Sequence, residues 1–170
     1  MVESLAMDSY RYLNRITRMA VKAWIKREPY REIPWTPLRK PLAHSTVALV
    51  SSAAVAMRDD RPFDQDKERR DPWHPDESYR LIPCEATERD ARLYHLHINT
   101  HFGEQDLDCV MPLGRLKELE QAGEIGRSAP THYSFQGFVL EPRELLEESV
   151  PAMIEQMKAE EVDAAVLVPV

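Results

Sequence analysis

The chain has 170 residues, of which 22 are basic and 29 acidic, giving a formal net charge of −7, and 43% are apolar. That length suits one domain with a sizeable core, and the acidic balance argues against nucleic acid as a partner, because phosphate binding needs a basic surface. No run approaches the ~20 apolar residues of a membrane span, and the N-terminus MVESLAMDSYRYLNR lacks an apolar signal core, so a cytoplasmic protein with no membrane partner is expected.

Residues 4–27 read as a helix, with Leu5, Tyr10, Leu13, Ile16, Ala20 and Trp24 at helical spacing. Its basic residues Arg11, Arg15, Arg18, Lys22, Lys26 and Arg27 are spaced as one solvated face rather than as a lipid- or nucleic-acid-binding stripe. The proline-rich stretch from Pro29 to Pro41 cannot continue a helix and favours an extended arm. Residues 1–43 are therefore expected to form an appendage of helix and arm, and residues 44–170 the domain proper.

Ser45–Ser52 is β-branched and apolar and reads as the first strand. Met57–Ser78 is dense in charge and proline and reads as a solvated loop that Phe63 and Trp73 could anchor. A short extended piece, Tyr79–Pro83, and a second strand, Leu93–Ile98, follow. Val110–Ala122 reads as a helix stopped by Gly123. Thr131–Phe138 reads as extended, and Glu144–Glu160 as a helix that Pro151 either kinks or restarts. Asp163–Val170 (DAAVLVPV) has the Val-rich look of a buried interior strand.

Alternating strands and helices predict an α/β layered fold with a mainly parallel, Rossmann- or flavodoxin-like sheet. The sheet is expected to be incomplete, since few helices remain to cover both faces. Function in such folds collects past the carboxyl ends of the strands.

Histidines are the densest chemical constellation. His95 and His97 alternate on the expected strand and would share a face. His101 lies just beyond, and His132 precedes Tyr133 and Ser134. These residues could be hydrogen-bonded structural groups, could line a substrate site, or could begin a metal site; no His-Glu-x-x-His or Cys-x-x-Cys supports the last. Glu104, Asp106 and Asp108 precede a helix and read as caps and solvated charge. Ser134 lacks a Gly-x-Ser-x-Gly setting, and five glycines without a phosphate-binding pattern predict no nucleotide or other cofactor. Cys84 and Cys109, without Cys-x-x-Cys spacing, are expected as half-buried free thiols.

The segments PWTPLRKPL (34–42), SYRLIP (78–83), INTHFGEQDLDCVMPLGRLKEL (98–119), APTHYSFQG (129–137) and EEVDAAVLVPV (160–170) together resemble the selenoprotein B family of glycine, sarcosine, betaine and D-proline reductases. The resemblance runs in order from about Tyr30 to Val170. It implies reductive cleavage of a carbon–nitrogen bond in a small amino-acid-like substrate, by a selenolate or thiolate whose adduct is resolved by further thiols.

In that family the last strand runs into a selenocysteine-x-x-Cys or Cys-x-x-Cys turn and then a helix, whose N-terminus would favour the ionised nucleophile. No catalytic residue of that kind lies within Met1–Val170; it is expected immediately after Val170, with UGA as the following codon. The resemblance implies other reductase subunits as partners and places His95, His97, His101, His132, Tyr133 and Ser134 near the substrate, for carboxylate binding and proton delivery. A bare sheet face is expected to drive homo-oligomerisation. A non-enzymatic binding or assembly subunit and a His-based metalloenzyme are the alternatives.

Overall fold

The computed structural model describes residues 14–26, 32, 36–71 and 73–170. They belong to two units, divided between Pro37 and Leu38. In the first, helix α1 spans Arg15–Ile25. Asn14 Oδ1 accepts from the Thr17 amide at 2.9 Å, as an N-terminal cap does. Ile16 and Met19 stand 81% and 64% exposed. Residues 4–13 and 27 of the expected helix, and residues 29–31 and 33–35 of the expected arm, lie outside the described residues.

The second unit is an α/β layered domain around one mainly parallel sheet. Its central strand, β1 (Thr46–Ser51), is buried at every position. Val47 and Leu49 enter one apolar cluster with Leu113 and Leu116 of helix α4 (Leu113–Gln121). Ala48 and Val50 enter the opposite one with Met153 of helix α5 (Val150–Ala159). Burial on both faces is why β1 reads as a nearly continuous apolar run. Each fully buried Val or Leu side chain there contributes about 1.5–3 kcal/mol of transfer free energy.

On one side of β1 lie β5 (Arg127–Ser128) and then β6 (Thr131–Phe135), both parallel to it. Strand β3 (Tyr79–Pro83) extends the sheet antiparallel to β6. On the other side β7 (Ala164–Val168) pairs with β1 in parallel, from Val47↔Ala164 to Ser51↔Val168. Sequence reasoning expects β7 to be an interior, buried strand. It is instead an edge: among the described residues it pairs with β1 alone, and Val166 and Leu167 are 46% and 72% exposed.

β5 and β6 follow β1 with a dislocation between them. Val47 faces Ser128 and Val50 faces Tyr133, so five steps of chain oppose three. The Leu49 amide, which the extra residues deprive of a ladder carbonyl, donates to His132 Nδ1 at 2.9 Å. His132 Nε2 lies 3.1 Å from Ser128 Oγ, and the ring is wholly buried. His132 therefore mends a sheet whose backbone pairing lapses.

Shorter elements depart from expectation. The charged stretch after Met57 holds helix α2 (Gln65–Arg70), capped by Asp64 accepting from the Lys67 amide at 2.8 Å. Before it, β2 (Val55–Met57) pairs antiparallel with β4 (Ala91–Leu93). The expected strand 93–98 stops at Leu93 and turns, because His95 Nδ1 accepts from the His97 amide at 3.1 Å. His95 and His97 are thus not alternate residues of a strand. Helix α3 spans His101–Gln105.

Gly123, with φ +73°, closes α4 in the left-handed conformation that glycine adopts without steric cost. Pro151 sits in the first turn of α5, preceded by one π-helical turn (Leu145–Ser149). The Val150 amide there reaches back to Leu145 O, a widened turn that makes room for the proline ring. The buried Glu77 closes this helix start, its Oε2 accepting from the Leu145 amide at 2.8 Å.

Burial pushes His132 down to about 4, with Glu160 acting weakly the other way. The ring is neutral in the folded state and free to protonate on unfolding, so its contribution is complete above about pH 6.5 and is lost as pH falls towards 4. We expect urea titrations to show about 3 kcal/mol of stability lost over that window, at about 1.4 kcal/mol per unit. His132→Ala should cost about 1–3 kcal/mol at pH 7, through the orphaned Leu49 amide, and should flatten the acid limb.

Candidate functional site

Three parallel strands end at one edge, and their following residues are tied together there. The Ser52 amide donates to Val168 O at 3.1 Å, and the Gly137 amide donates to Ser52 O at 2.8 Å. The Val170 amide donates to Ser52 Oγ at 2.9 Å. The carboxyl ends of β1, β6 and β7 thus meet around Ser52. This is where open α/β sheets place their chemistry.

Against this edge lies a buried polar cluster. Glu68 of α2, Gln136 after β6 and His95 after β4 are 3%, 1% and 4% exposed. Gln136 Nε2 donates to Glu68 Oε2. His97 Nε2 lies 2.7 Å from Glu68 Oε1, an ion-pair distance without the alignment of a hydrogen bond. Phe138 packs its ring on His97 at a centroid separation of 4.3 Å. Its backbone is held at φ +62°, a conformation costly to a non-glycine residue and concentrated at functional sites.

His95 has a definite tautomer by this geometry. Its Nδ1 is an acceptor, so the proton of the neutral ring resides on Nε2. Burial first, and the neighbouring His97 second, hold His95 below the ordinary histidine range. Among the described residues, His95 Nε2 finds no acceptor and Gln136 Oε1 no donor. A buried donor and a buried acceptor left open are expensive unless something binds them. Beside them, a half-exposed imidazole on a buried carboxylate is a pairing suited to moving a proton.

Of the residues singled out from sequence, His95 and His97 come together in this cluster. His132 has both ring nitrogens engaged within the sheet. Tyr133 is wholly buried and pushed up to about 12 by burial, then by Glu160 and Tyr79. Ser134 Oγ accepts from the Val55 amide at 2.8 Å. His101 is exposed at the start of α3, its amide donating to Asn99 Oδ1. Sequence reasoning missed Glu68, Gln136, Gly137 and Phe138. The signal for the last three was their place just after β6; Glu68 offered none within its charged run.

The open clefts lie elsewhere. A cleft of about 710 Å³ is lined by Trp73, His74, Glu77, Glu141, Arg143 and Glu144. We favour the strand-end cluster, because its buried polar groups are unsatisfied, whereas Glu77 in that cleft is committed to a helix start. Cys84 and Cys109 are free thiols, the first half-buried and held above its usual range by burial and Glu85, the second exposed. Among the described residues no three His, Cys, Asp or Glu side chains are grouped as a metal would require. No helix of these residues is long and apolar enough to cross a membrane.

The chain is 32% identical over 133 residues to the D-proline reductase subunit gamma of Acetoanaerobium sticklandii. It is a relative of a reductase subunit. The match takes in 78% of this chain and 52% of the relative, so the chain spans about half the length of the protein it resembles. No family model matches it, and no solved structure does so significantly.

A Cβ at Gly137 would lie 2.8 Å from His95 Nε2 and 2.9 Å from Ser52 O. Gly137→Ala should therefore force the β6 end away from β1 and cost about 1–3 kcal/mol. Chemical denaturation checks this, and in a ¹⁵N NMR spectrum the His95 signals should move while those of His132 stay in place.

Proposed function

We propose that the chain is a component of a reductase of the selenoprotein B type, acting on glycine, sarcosine, betaine or D-proline, and that the strand-end cluster is its substrate side. The reading is supported by the similarity to a D-proline reductase subunit. The observation that carries it is the convergence of three strand ends on His95, His97, Glu68 and Gln136, with two buried polar atoms unpartnered. His95 Nε2–H suits a substrate carboxylate oxygen, and the unpartnered Gln136 Oε1 suits the N–H of glycine, sarcosine or D-proline, which betaine lacks. His101, His132, Tyr133 and Ser134 remain in the proposal only as support around that cluster.

In this reading a chalcogenolate presented at the same edge attacks the substrate carbon. Its lone pair forms the new chalcogen–carbon bond as the carbon–nitrogen electron pair leaves with the amine. His97, when protonated, is the proposed donor to that amine, with the Glu68 carboxylate 2.7 Å from its Nε2. The adduct is then reduced by thiols of the wider complex. Neither Cys84 nor Cys109 is assigned as the nucleophile. Cytoplasmic placement, partner subunits and a homo-oligomer belong to the same proposal.

The test is turnover by the assembled reductase, purified with its partner subunits and supplied with a dithiol. Glycine, sarcosine, betaine and D-proline are offered in turn. At least one should be consumed, and His97→Ala should lower kcat by about 10²-fold with an unchanged far-UV spectrum. Full activity in His97→Ala, or none towards all four substrates, removes the reading. The assembly-subunit alternative predicts the opposite pattern: normal turnover in that variant.

A further inference from the structure

At the other end of the sheet, on a chain of net charge −7, lies a basic groove. Its volume is about 860 Å³, and Arg39, Lys40, Arg127 and Lys158 line it against only Glu161 and Asp163. With His44 neutral, four positive charges less two negative leave the groove at +2. One ion pair is internal: Lys40 Nζ lies 2.7 Å from Asp163 Oδ2, which also accepts from the Thr46 amide at 2.8 Å. Asp163 is held below its usual range first by Lys40, then by the Thr46 amide. Its carboxylate is therefore already committed.

Arg127 differs from the other cations in being positioned without being neutralised. Its Nε donates to Thr46 Oγ1 at 2.9 Å and its terminal nitrogen to Glu160 O at 3.3 Å. Both acceptors are uncharged, so they fix the guanidinium plane without an ion pair, and its charge acts on Asp163 only as a minor influence beside Lys40. Among the described residues neither Arg39, Arg127 nor Lys158 has an ion-pair partner. A planar, pre-oriented guanidinium flanked by free ammonium and guanidinium groups is suited to bidentate binding of a carboxylate or phosphate. The groove's volume is that of a small-molecule site.

We propose that this groove binds a small molecule carrying two negative charges, a phosphate or a dicarboxylate, with Arg127 as the fork and Arg39 and Lys158 as flanking charges. The site is separate from the strand-end cluster. The six residues of β1 that lie between the two ends span about 20 Å.

Isothermal titration of the full chain with inorganic phosphate and, separately, with succinate tests it, at constant ionic strength set by sodium chloride. Saturable 1:1 binding of at least one is expected, and the stronger arm identifies the anion class. Arg127→Gln should weaken binding at least tenfold with an unchanged far-UV spectrum. Glu161→Gln should tighten it several-fold, because it removes an opposing charge from the lining. That gain is an effect no merely structural role for these residues would produce. Absence of saturation by either anion up to tens of millimolar overturns the proposal. So does undiminished affinity in Arg127→Gln, or weaker binding in Glu161→Gln.

Discussion

One hydrogen bond bridges the parallel sheet at the point where its backbone pairing lapses. The Leu49 amide, in the most buried strand, has its acceptor in the imidazole of His132 rather than in a carbonyl. Without that nitrogen the two extra residues between β5 and β6 would leave a bare amide at the centre of the domain. With it, β5 and β6 both lie along β1, and the end of β6 arrives beside the end of β1. The convergence at Ser52 and Gly137 is downstream of that repair. A polar ring at the core thus serves the fold so that other polar rings can serve the edge.

The edge draws together residues from widely separated parts of the chain. Glu68 comes from a short polar helix, His95 and His97 from a turn after β4, and Gln136 from the end of β6. Each is placed by a local device: the Asp64 cap on α2, the His95 ring accepting from the His97 amide, and the bridge between Ala53 and Gln136. Burial of three such groups carries a desolvation cost, and the incomplete hydrogen bonding of His95 and Gln136 leaves part of it uncompensated. Stability is lower there than a closed apolar packing would give. Active and binding sites characteristically show this compromise.

The layered α/β class was legible because β1 and α4 have strong patterns: an unbroken apolar strand, and Leu113 and Leu116 three apart before a glycine stop. The Tyr94–Ile98 segment misled, since its alternation of polar and apolar residues imitates a strand while a side-chain hydrogen bond turns the backbone. Helix α2 escaped notice because QDKERR carries no apolar stripe; its inward residue is a glutamate. For the same reason the candidate site was half visible. Imidazoles announce themselves by type, but a carboxylate buried within a charged run has no periodic signature. The exposure of β7 was hidden too, because AAVLV has the composition of an interior strand, whatever lies beside it.

That strand has a practical consequence. Its outer rim carries neither lysine nor a bulge, the usual guards against unwanted zippering; only Pro169, just past its end, interrupts the line. Wherever nothing sits alongside, open amides next to bare Val166 and Leu167 are a template for foreign strands. Handling the chain by itself at high concentration will thus be governed by colloidal behaviour at this rim, and a single lysine at position 167 is the natural remedy.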